Sequence, residues 1–216
     1  QYANNKLDNK WTYWADDGRK TQEISYDKGI KHGPFLEWNV DNYKVTEGEY
    51  NRGDKNNKWT LWYEDGTLKQ QENYSNGKKD GQWIWWRPDG VKDEEGSYKD
   101  DVKHGIWTQW NNADHKKLEE TFVNGVIDGK ITIWYDNGNK DREGVIRKNE
   151  KEGIWNYFHP NGETDFIFDY GTGLDQVRIA ELEERDGIFY KIGQHKSYTG
   201  MVIETGGIKD YLLLGR

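Results

Sequence analysis

Two kinds of side chain recur along this sequence at a spacing that could support binding chemistry: aromatic rings and carboxylates. A ring stands every 24 residues, at Trp14, Trp38, Trp62, Trp86, Trp110, Trp134 and Phe158, the second tryptophan column. A carboxylate keeps the same step at Glu23, Glu47, Glu95, Glu119 and Glu143, with Gln71 in between, the glutamate column. Rings could stack on a sugar chain or a peptide, and carboxylates could bind a cation or a polar ligand.

Each column also has a structural explanation, and the sequence leaves both open. Repeat units bury surface against their neighbours, so the rings could stack on one another along the chain. The glutamates could pair across strands with two series of lysines, each such exposed pair contributing about 0–1 kcal/mol. The lysines are Lys20, Lys44, Lys92, Lys116 and Lys140, in the neighbouring turn region, and Lys31, Lys55, Lys79, Lys103 and Lys151.

Catalysis and metal binding find little support in the sequence. The histidines are His32, His104, His115, His159 and His195. His32 and His104 hold equivalent positions three repeats apart, and at roughly 4.8 Å per strand about 29 Å separates them, which excludes a shared metal ion. There is no cysteine, no serine-nucleophile motif and no phosphate-binding glycine loop. We predict no catalytic residue, no metal site and no cofactor.

The step of 24 residues continues through most of the chain and indicates a repeat protein. The first tryptophan column comprises Trp11, Phe35, Trp59, Trp83, Trp107, Ile131 and Trp155. The tyrosine column comprises Tyr26, Tyr50, Tyr74, Tyr98, Phe122, Ile146 and Tyr170. Two residues before the first tryptophan column stand Asn9, Gly33, Asn57, Gly81, Gly105, Gly129 and Gly153. Seven units without an insertion establish the period.

Turn dipeptides recur with the same period of 24 residues as the columns. They are Asp17-Gly18, Asp65-Gly66, Asp89-Gly90, Asn137-Gly138 and Asn161-Gly162, with weaker signals at Asp41-Asn42 and Ala113-Asp114. Such dipeptides between short β-favouring runs predict two-residue hairpin turns, and two strands plus two turns fill a unit without room for a helix. We predict an all-β fold: an elongated single-layer antiparallel meander of about seven hairpins over residues 1–173, followed by a divergent, capping β unit over residues 174–216.

Side-chain alternation then sorts the columns onto two faces. With Asp17-Gly18 as the turn, face A carries the first tryptophan column, the tyrosine column and cross-strand glycines, and is expected to be the core side. Face B carries the second tryptophan column, the glutamate column and a threonine-rich column. We therefore predict that Trp83 is buried over Gly96, that Trp85 is partly exposed, and that Trp86 is the better candidate for ligand contact.

The segments "DGQWIWWRPDG", "HGIWTQWNNAD" and "YSNGKKDGQW" resemble the bacterial MORN-variant repeat, a relative of the membrane occupation and recognition nexus motif. The resemblance covers residues 1 to about 173. It implies a twisted sheet of stacked hairpins without intrinsic catalysis, acting as a scaffold or binding module. Some similar bacterial chains are antitoxin components, but no residue here argues for that role. From Leu174 on, the sequence departs from the period.

The composition narrows the class of protein further. Hydrophobic residues are only 33 %, yet 12 Trp, 14 Tyr and 6 Phe indicate a folded chain with a core made of rings. A net charge of −8 argues against a nucleic-acid partner, and no apolar run is long enough for membrane insertion. The missing initiator methionine, the absence of cysteine and the start at Gln1 favour a secreted, periplasmic or cell-surface protein.

We predict that the protein is a non-enzymatic scaffold that binds a protein partner through face B. The alternatives are polysaccharide binding by tryptophan stacking on the same face and self-assembly through unpaired sheet edges. For self-assembly, the apolar residues 211–215, "YLLLG", would pair with the amino-terminal strand of another copy.

Overall fold

The structure is a computed structural model that describes residues 2–3, 6–170, 175–178, 182–185, 188–191 and 200–203. Residues 211–215 therefore lie outside the described part. The chain divides into two compact units, residues 1–114 with 122–125 and residues 115–121 with 126–216. In the described residues there is no helix long and apolar enough to span a bilayer.

The regular elements of the described residues are all β-strands. The strands up to residue 114 are β1 (Tyr2–Ala3), β2 (Lys6–Leu7), β3 (Asn9–Trp14), β4 (Lys20–Asp27), β5 (Ile30–Trp38), β6 (Lys44–Asn51), β7 (Asp54–Trp62), β8 (Leu68–Ser75), β9 (Lys78–Lys79), β10 (Gly81–Trp86), β11 (Lys92–Lys99) and β12 (Val102–Trp110). Those after it are β13 (Lys116–Val123), β14 (Val126–Trp134), β15 (Lys140–Arg147), β16 (Glu150–Phe158), β17 (Thr164–Asp169), β18 (Asp175–Arg178), β19 (Leu182–Arg185), β20 (Ile188–Lys191) and β21 (Gly200–Ile203).

Within each unit the strands from β3 to β17 pair with their neighbours in chain order, each pair antiparallel. This confirms the predicted all-β meander of consecutive hairpins. The short strand β9 pairs with β8, and β1 pairs with β2. Further along, β19 and β20 form an antiparallel pair, whereas β18 and β21 are parallel. The boundary at residue 173 and the capping role of residues 174–216 stay predictions.

The predicted pairing register within the hairpins is confirmed up to the residue before each ring of the second tryptophan column. Trp11 lies opposite Ile24, and Trp83 lies opposite Gly96. Because side chains alternate along each strand, this register places the columns on the two faces as expected.

The turns at the Asp-Gly dipeptides are one residue longer than predicted. The N–H of Ala15 donates to the carbonyl of Arg19 at 2.8 Å, and the N–H of Gly18 donates to the carbonyl of Ala15 at 3.0 Å. The loop therefore contains residues 16–18 and ends on Gly18 at φ +83°. A type I turn followed by a left-handed residue is the usual three-residue hairpin loop. The prediction of a two-residue turn here is wrong.

The two-residue turns lie at the other end of the strands. Lys28 and Gly29 separate the paired residues Asp27 and Ile30, and their φ angles are +50° and +88°. Positive φ at both positions defines a type I′ turn, whose twist matches that of the strands it joins. The same pair of positive φ angles recurs at Arg52-Gly53, Asn76-Gly77, Asp100-Asp101, Asn124-Gly125 and Lys148-Asn149.

The column two residues before the first tryptophan column has a backbone explanation. All seven of its members have positive φ, from +57° at Asn57 to +144° at Gly129. Only glycine and, less readily, asparagine adopt this conformation without substantial strain. At Gly105 a methyl group would meet no atom within 4 Å, so the backbone alone demands glycine there.

Face A forms the core. Trp59 and Trp155 are 1 % exposed, and Trp83 and Trp107 are 2 % exposed. Their indole N–H groups donate to a backbone carbonyl ten residues earlier; that of Trp107, for example, reaches the carbonyl of Ser97 at 3.2 Å. Burial of rings with their one polar group satisfied makes the first tryptophan column structural.

Trp83 is buried as predicted, but it is not the ring that covers Gly96. The nearest atoms to Gly96 belong to Trp107 of the next hairpin, and a methyl group added at Gly96 would overlap that indole. The ring of Trp107 reaches back because its N–H bonds to the preceding hairpin at Ser97. The prediction that Trp83 covers Gly96 is therefore wrong, because the ring that covers Gly96 comes from the next hairpin.

Candidate functional site

The second tryptophan column is less buried than the first. Trp14 is 61 % exposed, and the remaining members of the column are half-buried. The sequence placed both columns correctly on opposite faces. Trp85, which was expected to be partly exposed, is half-buried on face A and lies 5.6 Å from Trp83 between ring centroids.

A β-bulge places a lysine beside most rings of the second tryptophan column, namely Trp14, Trp38, Trp86 and Trp134. In the first hairpin Tyr13 pairs with Gln22, but Trp14 pairs with Lys20, so that Thr21 is the extra residue. The three-residue loop would shift the pairing of the two strands by one residue, and the extra residue of the bulge compensates for this shift. The bulge also turns the Lys20 side chain onto face B. The same shift precedes Trp38, Trp62, Trp86, Trp134 and Phe158.

The lysines that follow these loops lie over the rings of the next hairpin. The ammonium group of Lys20 lies 5.2 Å from the ring centroid of Trp38, and that of Lys44 lies 5.2 Å from Trp62. The contact recurs for Lys92 over Trp110, Lys116 over Trp134 and Lys140 over Phe158, at 4.8, 5.6 and 6.0 Å. At these distances a cation is attracted to the ring, by about 0.5–1 kcal/mol where exposed.

The same lysines hold the glutamate column. Lys20 bonds to Glu23 at 2.7 Å and Lys44 bonds to Glu47 at 2.7 Å. The remaining pairs are Lys92–Glu95, Lys116–Glu119 and Lys140–Glu143, at 2.8, 2.6 and 3.0 Å. Face B therefore repeats a ring, an ammonium group and a carboxylate, with the carboxylate turned to the lysine.

The lysine and the glutamate are lost from the repeat together. Where the third hairpin has Leu68 in place of lysine, it has Gln71 in place of glutamate. The seventh hairpin likewise has Thr164 and Ile167 at these positions. This signal was present in the sequence. The residue three positions before each glutamate is lysine, and where the glutamate is replaced the lysine is replaced too, which indicates an ion pair.

Two glutamates of the column have lowered pKa values. Hydrogen bonds from Lys10 and Lys20 hold the pKa of Glu23 below its usual value. Burial acts to raise the pKa of Glu143, but hydrogen bonds from Lys140 and Lys130 outweigh it and leave the pKa lowered. Both carboxylates are therefore ionised at neutral pH and fully engaged by lysines.

The other lysine series lies on face A and does not serve the glutamate column. The ammonium group of Lys55 lies 4.4 Å from the Trp59 ring centroid and 3.2 Å from a carboxylate oxygen of Glu72. That of Lys103 lies 3.7 Å from Trp107. These lysines cover the core rings, which explains how a one-layer sheet buries a tryptophan almost completely.

The described histidines lie at separate places along the array. His32 accepts a hydrogen bond from the backbone N–H of Arg52 at 3.4 Å, a structural contact at a turn. His195 lies outside the described residues. Within the part of the chain that the structure describes, no group of three or more acidic or histidine side chains is placed to hold a metal ion.

Comparison with known proteins identifies part of the repeat array. The family described as the MORN repeat variant matches residues 55–76 and 79–100, two consecutive units of the array. Repeats of this kind indicate a scaffold or binding role in general. No curated protein matches the chain.

Proposed function

We propose that this protein is a non-enzymatic repeat scaffold that binds a protein partner through face B. The observation that supports this best is the contrast between the two ring columns, with Trp83 at 2 % and Trp14 at 61 % exposure. A strip of partly exposed rings bordered by polar groups usually marks an interaction surface. The anchors in this proposal are Trp14, Trp38, Trp62, Trp86, Trp110 and Trp134.

The glutamate column has an indirect role in this proposal. Each carboxylate holds a lysine over a ring, as Glu47 holds Lys44 over Trp62. An oriented pair presents a fixed dipole to a partner, which favours one binding orientation over others. The members of the column with this role are Glu23, Glu47, Glu95, Glu119 and Glu143.

The ring environment favours a protein partner over a polysaccharide. A sugar stacks on an open aromatic face, but an ammonium group lies over a face of Trp38, Trp62 and Trp110. What face B offers is ring edges, aliphatic lysine stems and charged head groups. Such a mixture of apolar and polar groups is typical of protein interfaces.

A selection from a phage-displayed library of random twelve-residue peptides tests the proposal. We expect peptides that bind the whole protein and that lose at least about 30-fold in affinity in some of the variants Trp62→Ala, Trp86→Ala and Trp110→Ala, because a few buried anchors dominate such interfaces. Affinity is measured by biolayer interferometry, and the thermal transition of each variant by circular dichroism.

Lys31→Ala is the matched control, because Lys31 is exposed on face A and lies 4.8 Å from the Tyr50 ring centroid. It should leave peptide affinity unchanged. Undiminished binding by all three tryptophan variants would contradict the proposal. So would binding of polysaccharides on a glycan array at the same rings with no peptide selected.

A further inference from the structure

Face B contains one interior interruption of its ring and lysine pattern. Trp62 pairs with Leu68, at a position that is lysine in every other hairpin except the seventh. Gln71 lies between Thr60 and Ile84, its paired neighbours on either side. Trp86 follows two residues after Ile84 on the same face. We call these six uncharged residues the neutral step: Thr60, Trp62, Leu68, Gln71, Ile84 and Trp86.

Trp86 differs from the other rings of its column. Among the described residues no ammonium group lies over Trp86, whereas Lys44 and Lys92 lie over Trp62 and Trp110. The leucine at position 68 accounts for this, since the lysine that would cover Trp86 is missing. One ring on face B thus has an aliphatic neighbour in place of a cation.

Charged groups on both sides of the neutral step are already paired. Lys44 bonds to Glu47 at 2.7 Å before it, and Lys92 bonds to Glu95 at 2.8 Å after it. Each flank is therefore close to neutral in sum. A positively charged side chain placed on the step would lose water and would meet flanking carboxylates that already have lysine partners, which is unfavourable.

The backbone under Trp86 is fixed by the preceding hairpin. The hydroxyl of Tyr63 donates to the carbonyl of Trp86 at 2.7 Å. A backbone held in place before binding loses less conformational freedom when a partner arrives.

We propose that the neutral step is the docking point on face B and that it receives an uncharged aliphatic or aromatic side chain from a peptide segment of the partner. This inference rests on the proposed function. Leu68 and Ile84 offer apolar surface beside Trp62 and Trp86, and the Gln71 amide can donate and accept hydrogen bonds with a peptide group. The paired carboxylates at the flanks disfavour segments with a positive charge at the anchor position.

The double variant Leu68→Lys/Gln71→Glu restores the uninterrupted pattern and tests the inference. Five hairpins of this chain carry lysine and glutamate at these two positions, so the variant is expected to fold. We expect the library-selected peptides to bind it at least about 30-fold more weakly than the unmodified protein. The selected peptides should share an uncharged apolar residue.

A second pair of substitutions is designed to create an equivalent uncharged site at the first hairpin. Thr12, Trp14, Leu36 and Trp38 surround the Lys20–Glu23 pair much as Thr60, Trp62, Ile84 and Trp86 surround Leu68 and Gln71. Adding Lys20→Leu/Glu23→Gln to the first double variant should therefore recover peptide binding.

The outcomes separate this inference from the proposed function. Peptides that lose affinity in Trp62→Ala or Trp86→Ala but bind Leu68→Lys/Gln71→Glu unchanged would overturn the docking point and leave face B as the binding face. Loss in the double variant without recovery in the fourfold variant would also overturn it. Peptides whose affinity is unchanged in every tryptophan variant would contradict the proposed function itself.

Discussion

At the scale of single residues, small side-chain choices decide which ring is core and which is surface. Gly96 lets the indole of Trp107 lie against the strand, and the indole N–H then reaches the carbonyl of Ser97. On the other face, Lys92 lies over Trp110 and bonds to Glu95. The first arrangement removes a ring from water, and the second leaves its edge accessible.

Glu23 has the least exposed side chain of the glutamate column. Its side chain is 11 % exposed, and Lys10 and Lys20 bond to it at 2.6 and 2.7 Å. The pKa of Glu23 in the folded protein lies below its ordinary value of 4.5. The carboxylate therefore stabilises the fold fully above about pH 4.5, and this contribution is lost as the pH falls through the lower, folded-state pKa.

We expect Glu23→Gln to lower the free energy of unfolding by about 1 kcal/mol at pH 7 and by less at pH 3, measured by urea denaturation at both pH values. Glu47→Gln is the control, since its side chain is 49 % exposed and Lys44 alone bonds to it, so its effect at pH 7 should be smaller. An equal loss for Glu23→Gln at both pH values would contradict the assignment.

At the scale of the hairpin, the period and the alternation of faces could be predicted, but the turn geometry could not. Asp-Gly is compatible with a two-residue turn and with the end of a three-residue loop, and the dipeptide alone does not distinguish them. The difference decides where Lys20 points, because the longer loop brings a bulge at Thr21. The contact between lysine and ring on face B was therefore missed.

The column two residues before the first tryptophan column, whose members all have positive φ, offers a test of the hairpin backbone. Gly105 has φ +74° and space around its α-carbon. Gly105→Ala should lower the free energy of unfolding by about 1–2 kcal/mol through backbone strain alone. Gly105→Asn should lower it less, because Asn57 occupies the equivalent position at φ +57°. Chemical denaturation measures both, and an alanine variant as stable as the asparagine variant would contradict the left-handed backbone conformation at Gly105.

At the scale of the whole molecule, each of the two units has a face of buried rings and a face of partly exposed rings. The sequence was sufficient to predict the columns, the faces on which they lie and the all-β class. A period of 24 residues with two-residue alternation leaves one consistent arrangement. The sequence left open which of the two lysine series pairs with the glutamates, and it was not sufficient for the contacts between lysines and rings or for the neutral step at Leu68. Those depend on bulges and on contacts between adjacent hairpins, which the period of one unit does not encode.

Exchange of the tryptophan indole protons tests the two-faced sheet most directly. The indoles of Trp11, Trp59, Trp83, Trp107 and Trp155 donate to backbone carbonyls. Within the described residues no indole of the second tryptophan column donates a hydrogen bond. With nitrogen-15-labelled tryptophan, NMR should show slow hydrogen exchange for the first group and fast exchange for Trp14, Trp38, Trp62, Trp86, Trp110 and Trp134. Equal protection of the two groups would contradict a presented ring column and, with it, face B as a binding surface.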